Sequence, residues 1–172
     1  MPAINIGGIN KRFLRQTVLF KTRERPGTIV VDPYNRFLYL VQNDGKAIRY
    51  GVGVGRDGFR WAGRAYVGWK REWPTWTPPP AMVAREPELV RYSKGMEPGI
   101  HNPLGARAIY IYRDGSDTMY RLHGTNEPRS IGKAVSSGCI RLFNQDIIDL
   151  YNRVNSGARI VILTKAQSSR IA

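Results

Sequence analysis

Short apolar runs separated by turn residues are the feature that most constrains the fold of this chain. Residues 28–32, 36–42 and 46–54 are rich in β-branched and aromatic side chains, and turn residues lie between them. The sequence Asn43-Asp44-Gly45, between the second and third runs, is typical of a tight β-hairpin. This part of the chain therefore predicts a three-stranded antiparallel meander.

The same pattern continues along most of the 172 residues, a length that is ordinary for one domain. Further strands are predicted at 64–69, 107–113, 118–124 and 158–163. Residues 144–154 have the apolar spacing of a helix, with Asn144 as its N-cap. We therefore expect a mainly β domain over 27–165 with one clear helix, an irregular N-terminal extension over 1–26, and a C-terminal tail over 166–172.

A proline-rich segment at 71–105 interrupts the β pattern and contains seven of the eleven prolines. A connection this long and this rich in proline rarely contributes a sheet strand, and Pro87 must start or break any helix within it. The segment also contains Trp73 and Trp76, so it is too apolar for a solvated tether. Two interpretations stay open: a cover over one edge of the sheet, or a lid beside a functional site.

The net charge of +14 favours anionic partners, such as nucleic acid, anionic lipid or a carboxylate-rich polymer. No nucleic-acid-binding motif accompanies the charge, and no stretch approaches the ~18 apolar residues of a membrane span. Nucleic-acid binding and a membrane span are therefore not expected, and no signal peptide is visible at the start. Residues 53–58 match the glycine pattern of a dinucleotide loop, but a β-like segment follows them, so we assign these glycines to turns.

Cys139 is the only cysteine, and it follows His123, one of two histidines, by 16 positions. A zinc site would need a close ligand pair such as Cys-x-x-Cys, which is absent, so no metal is expected. A thiol becomes a good nucleophile when a neighbouring histidine takes its proton. Gly138 allows a tight turn whose backbone N–H groups can face an oxyanion. From the residues alone, an inert buried cysteine remains an equal alternative.

The residues "HG" at 123–124 and "SSGCIRL" at 136–142 resemble the catalytic signature of the bacterial L,D-transpeptidases, the YkuD domain family. The similarity extends from about Gly27 to Leu163 and implies a β-sandwich with a helix packed on one side. The implied reaction begins when Cys139 attacks the carbonyl at the L-centre of a diaminopimelate residue in a peptidoglycan tetrapeptide stem. The terminal D-Ala leaves, and an amine then takes the acyl group from the thioester. No cofactor is implied.

The resemblance also implies roles for individual residues. His123 is expected to be the base and later the acid, with its imidazole oriented by the backbone carbonyl of Gly124. The N–H groups of Gly138 and Cys139 are expected to form the oxyanion hole. His101 is assigned no catalytic role. The residues expected to bind substrate are Arg141, through a carboxylate, Ser136 and Ser137 in the turn, and Trp73 and Trp76 in the lid.

The partners that the resemblance implies are peptidoglycan stem peptides, with a second stem or the amine of an outer-membrane protein or lipoprotein as acceptor. A periplasmic location follows from the same resemblance. Alternatives stay open, because water can resolve the same acyl-enzyme and make the protein an L,D-carboxypeptidase or endopeptidase. A wall-binding module without catalysis is the alternative from another class. The sequence does not separate the possible acceptors.

Overall fold

Over residues 1–171, the part of the chain that the computed structural model describes, ten β-strands form one mixed sheet around a central core. The strands are β1 (Gln16–Leu19), β2 (Ile29–Asp32), β3 (Phe37–Val41), β4 (Lys46–Gly51), β5 (Gly53–Val54), β6 (Gly63–Glu72), β7 (Arg107–Arg113), β8 (Ser116–His123), β9 (Ile140–Arg141) and β10 (Arg159–Ile162). The α-helices are α1 (Pro80–Arg85), α2 (Asn144–Arg153) and α3 (Lys165–Ser168). Short 3₁₀ helices lie at Lys11–Phe13, Arg56–Phe59, Pro87–Tyr92 and Pro128–Ser130.

The sheet curls until its two ends meet. Its strand order is β1-β4-β3-β2-β10-β6-β7-β8-β9-β5, so β4 and β5 lie near opposite ends although only Val52 separates them in sequence. The enclosed core is apolar, and α2 covers it from one side through Ile147 and Leu150. The prediction of a mainly β fold with one clear helix is confirmed, and the two layers of the expected sandwich belong to a single curled sheet.

The predicted meander is present, since β2, β3 and β4 pair antiparallel in sequence order. The last strand, β10, lies parallel to β2 in the middle of the sheet. All residues of β2 and β3 are buried, because a second apolar cluster covers their outer face. Continuous apolar runs of this kind need cover on both sides of the sheet.

The N-terminal extension and the C-terminal tail provide this cover, and the extension that was predicted to be irregular contains strand β1. Strand β1 pairs with β4, and the ring of Phe20 stacks on Tyr39 with centroids 4.3 Å apart. At the other end, Thr164 and Gln167 form a capping box for α3. The hydroxyl of Ser168 donates to Asp32 at 2.6 Å, which ties the C-terminal residues to the sheet.

The proline-rich segment begins as a strand, which corrects the expectation that it contributes none. Arg71 and Glu72 belong to β6, because the ladder with β7 continues to the pair Glu72–Arg107. Beyond it, α1 begins at Pro80, and Pro87 starts a separate 3₁₀ helix, as expected for proline at these positions. None of the helices in residues 1–171 is long and apolar enough to cross a membrane.

Candidate active site

A cavity of about 600 Å³ lies between the loop that contains Cys139 and the proline-rich segment. His123 and Cys139 both line this cavity, although they are only 4% and 5% exposed. The wall on the sheet side includes Ser136, Ser137 and Gly138, and the opposite wall includes Thr75, Trp76, Thr77, Pro79, Ala81, Met82 and Arg85. The fold thus brings together residues that lie far apart in sequence.

His123 is the last residue of β8 and is held by β7 on one side and β9 on the other. Its Nδ1 lies 2.6 Å from the carbonyl oxygen of Gly124. Because a carbonyl only accepts, Nδ1 carries the proton and Nε2 is left with its lone pair. Burial lowers the pKa of His123 to about 4, so the imidazole is neutral at neutral pH. The side chain is therefore in the protonation state that a general base requires.

Asn144 holds the backbone around Gly124. Its Oδ1 accepts from the N–H groups of Ala106 at 2.9 Å and Thr125 at 3.3 Å, and its Nδ2 donates to the Thr125 carbonyl at 3.0 Å. The predicted N-cap role was wrong: Phe143 occupies that position, and the buried Asn144 amide instead satisfies loop groups that water cannot reach. A Cβ added to Gly124 would collide with Asn144 Oδ1, so this close approach requires glycine.

Cys139 follows a left-handed residue, Gly138, whose φ of +86° is a conformation that favours glycine. A Cβ built on Gly138 would lie 3.6 Å from His123 Nε2, so that nitrogen faces the cysteine loop. The Cys139 Sγ lies 3.7 Å from the carbonyl oxygen of Met119. Within the described residues, the N–H groups of Gly138 and Cys139 donate to no acceptor. Burial raises the pKa of Cys139 to about 11, so the thiol keeps its proton until a base removes it.

The glycine string at 53–58 supports the cysteine loop. The Gly55 N–H donates to the Cys139 carbonyl at 2.8 Å, and the Asp57 N–H donates to the Gly138 carbonyl at 3.1 Å. A Cβ on Gly55 would collide with the carbonyl oxygens of Ser137 and Gly138. The second half of the string forms the 3₁₀ helix Arg56–Phe59, and the longer α-helix that a dinucleotide loop opens is not present in this part of the chain. The glycines at 53–58 therefore let this segment pack closely against the loop that contains Cys139.

Arg141 is not among the residues that line the cavity, but its Nε would lie 3.6 Å from a Cβ built on Gly138, as His123 Nε2 would. Its expected contact with a substrate carboxylate stays a prediction. Its guanidinium donates to the Glu127 carboxylate at 2.7 Å and to the Ser137 carbonyl at 3.1 Å. Strand β9 is paired on both sides, and from it the Arg141 side chain reaches the loop that precedes Cys139. Arg141 therefore holds this loop in place and pairs with a carboxylate, while its buried Nε has no hydrogen-bond partner within residues 1–171.

The two tryptophans separate in the structure. Trp76 is half-buried and lines the cavity, and its backbone pairs with Met96. Trp73 is not among the lining residues, and the Arg107 guanidinium lies 5.8 Å from its ring centroid. Trp73 directly follows β6 and still bonds the Ala106 carbonyl through its N–H. His101 is exposed and also lies outside the cavity.

Sequence reasoning missed several lining residues. Arg56, Arg60, Arg85 and Arg121 line the cavity, together with Asp57 and Met119. A smaller cavity of about 170 Å³ also reaches Cys139, between Met119 and Arg60. No local pattern marks these residues, because arginines are spread along the whole sequence. Within residues 1–171, no three His, Cys, Asp or Glu side chains gather where they could hold a metal ion.

The chain is similar to known proteins along most of its length. The L,D-transpeptidase catalytic domain, YkuD, matches residues 26–162. ErfK/SrfK of Escherichia coli, a probable L,D-transpeptidase, is 37% identical over 140 residues, which are 78% of this chain and 43% of that protein. The chain spans less than half the length of the curated relatives it matches.

Solved structures share the fold, although the protein in the more similar of two such structures is named for a different activity. A probable carnitine operon oxidoreductase from Brucella melitensis is 46% identical, with a TM-score of 0.62 over 92% of this chain and 99% of that one. An L,D-transpeptidase from Mycobacterium smegmatis shares the fold, with a TM-score of 0.57 at 16% identity over 80% of this chain and 58% of that one. The sequence and the fold together place this chain in the YkuD family of L,D-transpeptidase catalytic domains.

Proposed function

We propose that this protein is a peptidoglycan L,D-transpeptidase with Cys139 as its nucleophile. The observation that carries the proposal is the arrangement of His123. Its Nδ1–H donates a hydrogen bond to the Gly124 carbonyl oxygen, and its Nε2 faces the loop that contains Cys139. The Cys139 thiol is protonated and lines the same cavity. Membership in the YkuD family supports the same reaction.

The first half-reaction forms the acyl-enzyme. His123 Nε2 takes the thiol proton while Sγ attacks the carbonyl carbon at the L-centre of diaminopimelate. The negative charge that develops on the carbonyl oxygen is stabilised by the N–H groups of Gly138 and Cys139, which have no other acceptor within the described residues. The imidazolium then gives its proton to the nitrogen of the departing D-Ala. A thioester remains on Cys139.

The second half-reaction transfers the acyl group. An amine attacks the thioester, His123 accepts the amine proton, and this proton returns to the departing Sγ. The acceptor is the diaminopimelate amine of a second stem, which gives a 3→3 cross-link, or the amine of an outer-membrane protein or lipoprotein. The reaction takes place in the periplasm. In the lid interpretation, the proline-rich segment limits the access of water to the thioester, and the tryptophan variants described in the Discussion test this.

The test uses tetrapeptide-rich muropeptides incubated with the wild type and with Cys139→Ala. We expect cross-linked dimers and free D-Ala from the wild type, and no turnover by the variant. Mass spectrometry of the products separates dimers from the tripeptides that an L,D-carboxypeptidase would release. The alanine variant should also take up no carbapenem, whereas the wild type should gain one covalent adduct. An adduct on Cys139→Ala would refute the assignment of the nucleophile.

A further inference from the structure

The cavity beside Cys139 is strongly cationic. Four arginines line it, and Asp57 is the one acidic residue among its lining side chains. Two of these arginines already have anionic neighbours. Arg121 donates to the Asp117 carboxylate at 2.6 and 2.9 Å, and Arg60 lies 3.9 Å from Asp57. The remaining two, Arg56 and Arg85, determine the net charge that a ligand meets.

Arg56 and Arg85 are exposed, and within residues 1–171 their side chains make no ion pair or hydrogen bond. They belong to opposite walls of the cavity. Arg56 begins the 3₁₀ helix behind the cysteine loop, and Arg85 ends α1 in the proline-rich segment. A ligand between these walls therefore meets a guanidinium from each side.

Guanidinium groups with no anionic partner select for a planar anion, because their paired N–H groups match the two oxygens of a carboxylate. A tetrapeptide stem has such groups near the reacting carbonyl: the α-carboxylate of D-Glu, the carboxylate at the D-centre of diaminopimelate, and the terminal carboxylate of D-Ala, which stays free when the other two are amidated. A carboxamide has nearly the same size and shape but no charge. A site that uses these arginines therefore distinguishes free from amidated stems.

We infer that Arg56 and Arg85 make this cavity selective for stems with free carboxylates over stems in which the same carboxyl groups are amidated. The inference rests on the proposed function for the identity of the substrate. It adds two contacts to the carboxylate contact expected of Arg141, whose guanidinium also pairs with Glu127. Arg56 and Arg85 act as specificity-determining residues, one on each wall.

The test measures equilibrium binding, so that it does not depend on turnover. Cys139→Ala is titrated with a synthetic tetrapeptide stem in the free form, and with the stem carrying carboxamides on D-Glu and on the D-centre of diaminopimelate. We expect the free stem to bind more tightly, and Arg56→Gln or Arg85→Gln added to Cys139→Ala to weaken it by roughly fivefold each. The same variants should change binding of the amidated stem by less than about twofold. Arg23→Gln, an exposed arginine away from the cavity, is the matched charge control.

Salt provides a second readout, since exposed ion pairs are screened. Higher salt should weaken binding of the free stem more than binding of the amidated stem, which keeps only the D-Ala carboxylate. Equal affinity for both stems, or arginine variants that weaken both equally, would overturn the inference. Turnover of free and amidated stems at equal kcat/KM would overturn it while leaving the proposed reaction intact. Arginine-dependent selectivity in binding, without turnover by the wild type, would instead refute the reaction and support the inference.

Discussion

The two walls of the cavity differ in how they are held. On the sheet side, His123, Cys139 and Asn144 are buried, and hydrogen bonds from Gly55, Asp57 and Asn144 hold the loops around them. On the opposite side, α1 and the 3₁₀ helix Pro87–Tyr92 contain no buried residue. Buried Asn102 fastens this wall by donating to the carbonyls of Pro74 at 3.2 Å and Glu97 at 3.1 Å.

This difference separates the chemistry from the contacts with substrate. Reacting groups must be held to within a fraction of an ångström, which requires packed and hydrogen-bonded support. A wall with few buried contacts opens at a lower free-energy cost and can adjust to a long, branched ligand. We therefore expect changes in the sheet-side wall to affect rate and stability, and changes in the opposite wall to affect the product.

The largest expected effect is on the sheet-side wall, at His123. His123→Ala should slow acylation by about 10²–10⁴-fold, because a positioned base is lost. His101→Ala is the matched control and should change the rate by less than about twofold, since His101 is exposed and outside the cavity. The measurement is the time course of the acyl-enzyme by intact-protein mass spectrometry. An equal loss of acylation rate in the two variants would show that the wrong histidine was assigned as the base.

A smaller effect on rate is expected at Asn144, which supports His123 through Gly124. Asn144→Ala leaves buried N–H and C=O groups unpaired and should lower the free energy of unfolding by about 1–3 kcal/mol. It should also slow acylation by roughly tenfold through displacement of the Gly124 carbonyl. Asn152→Ala, an exposed change on the same helix, should change neither the free energy of unfolding nor the acylation rate. Urea unfolding and the acylation time course measure both effects.

If Asn144→Ala lowered the stability and left acylation unchanged, Asn144 would be a structural residue with no positioning role. Asn144→Asp adds a sharper test. It keeps the acceptor for the N–H groups of Ala106 and Thr125 but removes the donor to the Thr125 carbonyl. We expect the acylation rate of Asn144→Asp to lie between that of Asn144→Ala and that of the wild type.

The two tryptophans test the opposite wall. Trp76→Ala should raise the ratio of hydrolysis to transfer, with little change in melting temperature, because its side chain lines the cavity. Trp73→Ala should lower the melting temperature by a few degrees, at about 4 °C or less per kcal/mol, and leave the product ratio unchanged. Thermal unfolding and product analysis on both single variants decide between the lid and the edge cover. A large drop in melting temperature for Trp76→Ala, with unchanged products, would eliminate the lid.

The smallest expected effect is that of pH on acylation. The pKa of His123 is about 4, so the base is lost only as the pH falls towards that value. The pKa of Cys139 is about 11, so the thiol ionises only as the pH rises towards that value. Between roughly pH 5.5 and 9 the rate should therefore change by less than about twofold. A bell-shaped profile with both limbs between pH 6 and 9 would instead indicate a thiolate–imidazolium pair.

The local sequence pattern predicted those elements whose conformation is set by residues a few positions apart in the chain. The meander of β2, β3 and β4, the final strand β10 and the break at Pro87 all follow from alternation, turn residues and proline geometry. Cys139 and His123 were found because their residue types are rare here and their surroundings are typical of a nucleophile and its base.

Contacts between distant segments decided the rest. Arg141 has a carboxylate partner because Glu127, in the loop between β8 and β9, reaches it. Asn144 holds two loops together because the backbones of Ala106 and Thr125 meet at its amide. The charge of the cavity depends on which arginines have partners, and those partners follow from how the sheet curls and where the proline-rich segment lies. Sequence patterns report on residues a few positions apart, whereas a side chain's hydrogen bonds are set by whichever groups the whole fold brings within about 3 Å of it.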